Sequence, residues 1–509
     1  MSANEPENLI INSPLHLPTV GMVSAAEEFV LEIFRYRFFD EPCKKGGAKS
    51  LELDNITWNE REYLVIGALR GRPRKDNGKP YYTPAYPALC KDAWFRTQRP
   101  KIVDQLLFKG ILAHSLAQKR SSDEELQSFV EQLINVLVGR TKSGENRTPD
   151  DVYARLLEGN TYGDRSHDDV IAGCTELIRN ADLFGMLDIK DPFSDHVTTG
   201  LRELIELEQS IPRHQWIQLL SAFLRTAIPI YFLGRMRFTC LYQEHLIRAI
   251  KSGETVDNEQ IKKDWQNRHD NLLIVGGPRN RWQKDEINRY WRARIELNLI
   301  VAECRDVDSN FCSRFEGKKH PRLVFKDHPS SGEVSLAELS EIVKTNREHL
   351  FKADSTADSI SGLRIKAQEY AGYRDSTTKG IGKNIFEFLK VLHADGFTDD
   401  RGSHSIRRYE EGRRGHKWAC EPGPLLLQLF VFFAQNKHKS EQESGNRGSY
   451  GHLTLHELIE YIETWGFCMG NNSDGQNYLK GGLTKLGLIS GSPDAGNSVP
   501  LSMVYGGML

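Results

Sequence analysis

The 509-residue chain has no CxxC pair, no run of eighteen apolar residues and no surplus of either charge, and each absence excludes a class of protein. Its eight cysteines (Cys43, Cys90, Cys174, Cys240, Cys304, Cys312, Cys420 and Cys468) are scattered without paired spacing. That pattern reads as reduced thiols and opposes both a disulfide framework and a structural zinc site. The longest strongly apolar stretch runs from Leu425 to Ala434, about half the ~20 residues a membrane-spanning helix needs, so it reads as a buried core helix. Near the start, Glu5, Glu7, Pro6, Pro14 and Pro18 stand where a secretory leader would be basic and then apolar. No signal peptide is read, no membrane partner is expected, and a cytoplasmic location is. With 67 Lys and Arg against 69 Asp and Glu, the net charge is -2. A polyanion site must therefore be a local cluster.

Catalytic signatures are also missing. There is no HExxH, no GxSxG elbow, no GxxxxGK[ST] loop and no GxGxxG after a strand. His456-Glu457 lacks a second histidine, and Cys304, Cys312 and His320 lack the paired spacing of zinc ligands. No metal and no cofactor is expected. A dispersed metal-dependent nuclease site needs no tight spacing, and His167-Asp168-Asp169 and Glu303 are its candidates.

What is present is a soluble, globular balance of 39% hydrophobic and 27% charged residues, on a chain too long for one core. One phrase recurs, a helix ending in glycine followed at once by apolar residues. It occurs at Leu107-Phe108-Lys109-Gly110-Ile111-Leu112, Leu183-Phe184-Gly185-Met186-Leu187, Leu392-His393-Ala394-Asp395-Gly396-Phe397 and Leu486-Gly487-Leu488-Ile489. Glycine can take the left-handed conformation that stops a helix, so each reads as a helix turning into a strand.

The last occurrence has the richest surroundings. Thr454-Leu455-His456-Glu457 is a capping box, and Leu455, Leu458, Ile459 and Ile462 then form one helical face. After Gly470–Gly475 a second helix is predicted from Gln476 to Leu486, followed by Leu488-Ile489, a turn-rich Ser490–Ser498 and an apolar Val499–Tyr505. With Leu425–Ala434 as the first helix, this order resembles the winged helix-turn-helix superfamily. The resemblance implies that the helix after the turn enters the major groove of DNA while the wing touches phosphate or the minor groove.

The other three occurrences extend the resemblance. Glu124–Val138, Thr148–Leu157 and His167–Leu183 supply three helices of a second module; Ser335–Cys420 supplies a third, with a recognition helix at Lys383–His393 and a long wing at Phe397–Trp418; Trp58–Leu116 supplies a fourth possibility. Leu201–Leu207, Trp216–Leu224, Tyr242–Ile250 and Glu286–Ala302 show helical spacing. The expected fold is mainly α with small β-hairpin wings, a multi-domain array of winged-helix modules around a helical middle domain. Its boundaries are an N-terminal segment 1–55, a helical unit 56–120, a module 121–195, the middle domain 196–334, a module 335–420 and a C-terminal winged helix 421–509.

Three basic clusters stand out. Arg401, Arg407, Arg408, Arg413, Arg414 and Lys417 crowd the third wing, interleaved with His404, Tyr409, His416 and Trp418. Guanidinium groups on a hairpin can follow a phosphate backbone, and a solvated loop is the alternative. Within Arg70-Gly71-Arg72-Pro73-Arg74-Lys75 the core Arg70–Pro73 resembles an AT-hook, which implies arginines along a narrow minor groove; an exposed basic turn is the alternative. In Pro278–Arg294, arginine alternates with tryptophan, which suits stacking on bases, but the helical spacing of Trp291, Ile295 and Leu299 favours core packing with a charged outer face. The expected function is non-catalytic binding of double-stranded DNA within a larger DNA-handling assembly with other protein subunits, such as a phage-defence or mobile-element system. The expected contacts are the six basic wing residues with Lys379, Lys383, Asn384 and Lys390 in the third module, Gln476, Asn477, Lys480 and Lys485 in the last, and Arg70, Arg72 and Arg74. A protein-interaction scaffold and a restriction-type nuclease are the alternatives.

Overall fold

The computed structural model describes residues 74–76, 79–81, 106–118, 122–137, 142–144, 167–179, 192–252, 256–269, 272–275, 278–279, 286–290, 292–294, 296–297, 389, 392, 406–410, 416–444, 452–469, 473–489, 496 and 498–505. Within them the protein is mostly helical, with a few short strands. Outside them lie Arg70, Arg72, Lys379, Lys383, Asn384, Lys390, Arg401, Arg413 and Arg414, with the glycine turns at Gly185 and Gly396.

A short hairpin comes first, β1 (Arg74–Asp76) paired antiparallel with β2 (Lys79–Tyr81). A π-helical stretch, Leu106–Leu112, then runs without a break into α1 (Ala113–Gln118). This corrects the expected helix stop at Gly110. A Cβ there would lie 2.9 Å from Tyr231 Cε1, so Gly110 serves close approach of an aromatic ring and no chain reversal.

Helix α2 (Asp123–Leu137) opens on Ser122, whose hydroxyl accepts from the Glu125 amide at 3.2 Å while Glu125 accepts from the Ser122 amide at 3.0 Å. Its buried face, Leu126, Phe129, Val130, Leu133 and Ile134, lies at helical spacing. Helix α3 (His167–Arg179) packs beside it, with Arg179 3.2 Å from Asp123. Helix α4 (Pro192–Leu207) follows.

The organising element is α5, Arg213–Ser252. It joins into one rod the two segments that sequence spacing reads separately, with Pro229 inside it. At ~1.5 Å per residue it is roughly 60 Å long. Its middle, from Ala222 to Met236, is buried all round, as expected of a helix at the centre of a bundle. The cost is buried polarity: Arg235 is 1% exposed, lies over the Tyr231 ring at 4.6 Å and reaches His114 Nδ1 at 2.8 Å. Helix α6 (Asn258–His269) folds back onto α5, capped by Asp257 and pinned by a 2.9 Å contact between His245 and Asp264.

Residues 272–279 form two short strands, β3 (Leu273–Ile274) and β4 (Pro278–Arg279). Residues 286–290, 292–294 and 296–297 are helical and bury Ile287, Tyr290, Ala293 and Leu297. The basic hairpin is β5 (Ile406–Glu410) with β6 (His416–Cys420), and three residues later α7 (Pro424–Glu443) begins with proline in its first turn. Helix α8 (Leu455–Thr464) starts on the expected capping box, with Thr454 Oγ1 accepting from the Glu457 amide at 3.3 Å and Glu457 accepting from the Thr454 amide at 2.8 Å. Gly466, at φ +79°, turns the chain into β7 (Phe467–Cys468), and α9 spans Ser473–Lys485, three residues earlier at its start than the sequence suggests. Gly487, at φ +70°, ends it as the last glycine phrase predicts. Ile489 bridges antiparallel to Leu501, and Thr454 to Pro500, so residues 500–501 lie between the other two.

Among the described residues, a large cluster of buried apolar side chains extends from Leu107 to Leu501. Its aromatic centre is Trp465, with ring centroids of Phe193, Phe223, Phe430 and Phe433 at 5.7, 5.7, 5.7 and 6.2 Å. One indole thus joins α4, α5, α7 and the end of α8.

Candidate nucleic-acid interface

The basic hairpin acquires a third strand. β6 pairs with β5 on one side and with β4 on the other, giving the order β4-β6-β5, all antiparallel. In register, Arg279, Trp418 and Arg408 form one row across the sheet, and Pro278, Ala419 and Arg407 form the next. Lys417 stands opposite Tyr409. Two clusters far apart in sequence therefore meet in one sheet.

The same segment secures this sheet to the C-terminal helices. The Leu273 amide donates to the Gly466 carbonyl at 2.9 Å and the Val275 amide to the Cys468 carbonyl at 2.8 Å, so β3 runs parallel to β7. Val275 also bridges to Cys420 at the end of β6. The first turn of α9 presses on this strap: a Cβ on Gly475 would lie 2.6 Å from the Met469 carbonyl oxygen and 2.8 Å from that of Val275. Only glycine admits two backbones that close. Residues 272–279 thereby set the position of α9 relative to the basic sheet.

Helix α9 has two faces. Leu479 and Leu483 are fully buried, and Gly482 allows Leu427 to approach. Asn477, Gly481, Thr484 and Lys485 are exposed, one helical turn apart. Of the four residues predicted here, Asn477 and Lys485 lie on this open face, whereas Gln476 and Lys480 are half-buried. Of the wing set, Arg407, Arg408 and Lys417 lie in the sheet; Arg74 is in β1, a separate hairpin.

Two site residues escaped the sequence reading. Arg279 falls in the cluster expected to be core, although the apolar run Leu272–Val275 followed by Gly276-Gly277 is a strand-and-turn signal. Thr484 carries no charge to mark it. Among the other described residues of the Pro278–Arg294 cluster, Arg294 is only 3% exposed and donates to the Tyr290 hydroxyl at 3.3 Å, correcting the expected charged outer face at that position. Arg289 is paired with Glu244, which raises the guanidinium pKa further, and Arg237 pairs with Glu286 at 3.2 Å.

The sheet strands include Arg279, Arg407, Arg408 and Lys417, residue types suited to phosphate, and the exposed face of α9 carries the Asn477 amide and the Thr484 hydroxyl, which donates to the Lys480 carbonyl at 2.7 Å and keeps its oxygen free to accept from a base edge. Among the described residues, no group of three His, Cys, Asp or Glu side chains is placed to hold a metal ion, and no helix is long and apolar enough to cross a membrane. A cavity of about 160 Å³ lies elsewhere, between the second half of α7 and residues 501–505, lined by Gln435, His438, Gln442, His452 and Met503. Compared with family models, curated proteins and solved structures, the chain matches none.

Proposed function

We propose that this protein binds double-stranded DNA through a C-terminal winged helix and the basic sheet beside it, as a non-catalytic subunit of a larger DNA-handling assembly. The observation that carries the reading is the fastening of α9 to the β4-β6-β5 sheet by residues 272–279. In support of this reading, α7, the Thr454 bridge, α8, α9 and the bridged residues Ile489 and Leu501 come in the order of a winged helix, with β7 inserted between α8 and α9. In that arrangement α9 is the recognition helix, and Asn477 and Lys485 meet the groove. The proposed phosphate contacts are Arg407, Arg408 and Lys417, which lie in the sheet, and Arg401, Arg413 and Arg414, which lie outside the described residues. A net charge of -2 leaves phosphate binding to a local cluster such as this one and is compatible with a subunit that also has protein partners.

The test is a fluorescence-anisotropy titration of the full-length protein against duplex DNA, single-stranded DNA and RNA at two salt concentrations, with magnesium present and the nucleic acid checked for cleavage. Salt-sensitive duplex binding without cleavage is expected; cleavage would turn the reading to a nuclease. A second reading, a protein-docking scaffold, is favoured by Met503, which is 67% exposed beside the α7 cavity. Absence of binding to all three nucleic acids would select it.

A further inference from the structure

The glycines of the C-terminal unit divide by what requires them. Gly466, Gly487 and Gly496 have φ of +79°, +70° and +59°, where a side chain is strained. Gly475 meets two carbonyl oxygens and Gly482 meets Leu427, each closer than a Cβ tolerates. Gly481 has none of these reasons. It sits in the middle of α9 with no left-handed φ, it is exposed, and a Cβ built on it would have nothing within 4 Å. Among non-proline residues glycine is the least suited to a helix interior, so the fold alone would be better served by alanine there.

Its neighbours on the same face indicate what approaches. Asn477 lies one turn before it, and Thr484 and Lys485 one turn after, all exposed. A bare stretch of helix that closes on another helix would be flanked by apolar side chains; this one is ringed by an amide, a hydroxyl and an ammonium. That ring suits base edges and phosphate, with the amide able to pair with adenine and the ammonium with a backbone oxygen. Gly173, the other helical glycine with open space around it, sits beside Glu176 on α3, where a carboxylate repels phosphate.

Resting on the DNA-binding reading above, we infer that Gly481 is the point of closest approach between α9 and duplex DNA, and that Asn477 and Thr484 on either side of it are the residues that discriminate sequence. Omitting a side chain at the centre of the face lets the helix backbone sink far enough for two short side chains to reach base edges.

The experiment compares the full-length wild type with Gly481→Ala, Gly481→Leu and Thr484→Ala, measuring thermal unfolding and anisotropy with a fluorescein-labelled duplex selected by the wild-type protein from a randomised pool. Both Gly481 substitutions should raise the melting temperature by about 1–3 °C, because they favour helix and meet open space. Affinity should fall about tenfold for alanine and further for leucine. Thr484→Ala should bind the pool with little change while losing preference for the selected sequence. If the Gly481 variants are more heat-stable yet bind as tightly as wild type, the inference is wrong and the DNA-binding reading stands. If they are less stable, the fold itself needs the glycine and the inference is equally wrong. Failure of the wild type to select or bind any duplex overturns both.

Discussion

Glu203 shows how one buried side chain ties stability to pH. It projects from α4 toward Asn436 of α7, 3.0 Å away, and burial pushes its carboxyl from 4.5 up to about 7, with the Asn436 hydrogen bond opposing the shift. The fold therefore favours the protonated acid. This contribution is full below pH 4.5, the unfolded value, and is lost as pH rises through about 7. Glu203→Gln keeps the shape and removes the titration, so it should stabilise the protein at pH 8 by about 1–2 kcal/mol and flatten that part of the pH profile in urea unfolding. Burial also holds the neighbouring Tyr461 hydroxyl well above the ordinary phenol range, and the Glu203 charge adds to this. Trp465 gives a second residue-scale prediction. Because four phenylalanine rings pack on it, Trp465→Ala should cost about 3–5 kcal/mol in denaturant melts.

At the scale of elements, the legible parts of the chain are those whose signal is local. The Thr454 box, the buried faces of α2 and α8 and the stop at Gly487 follow from a few adjacent residues, and the structure has each of them. Gly110 was misleading because the same residue type serves a helix end and a close contact, and only the distant Tyr231 tells them apart. Pairing of β4 with β6 joins residues some 140 positions apart (279 to 418) and has no local signature beyond a short apolar run. That pairing predicts a role for Arg279: Arg279→Ala should weaken duplex binding and lower the slope of log affinity against log salt by about one. Changing Arg407, Arg408, Arg413 and Arg414 together to alanine should lower it further, and an unchanged slope would remove the hairpin from the interface. Gly475→Ala addresses the strap. With two backbone oxygens under 3.0 Å from the added carbon, it should destabilise the protein by about 1–3 kcal/mol in thermal melts.

For the whole molecule, the consequence lies in how α7 is buried. Leu426, Leu427, Leu429, Phe430, Val431, Phe432, Phe433 and Ala434 bury the first half of that helix on nearly every side, and α4 and α5 supply part of the cover, with Phe223 of α5 5.6 Å from Phe433. Residues 272–275 in turn pack against Gly466, β7 and the start of α9. A fragment comprising 421–509 would leave this surface bare, and it should aggregate when expressed alone, whereas co-expression with a 192–297 fragment should recover soluble material. The C-terminal unit thus shares its core with the long central helix, and a graft of 421–509 into another protein should stay soluble only when that helix travels with it.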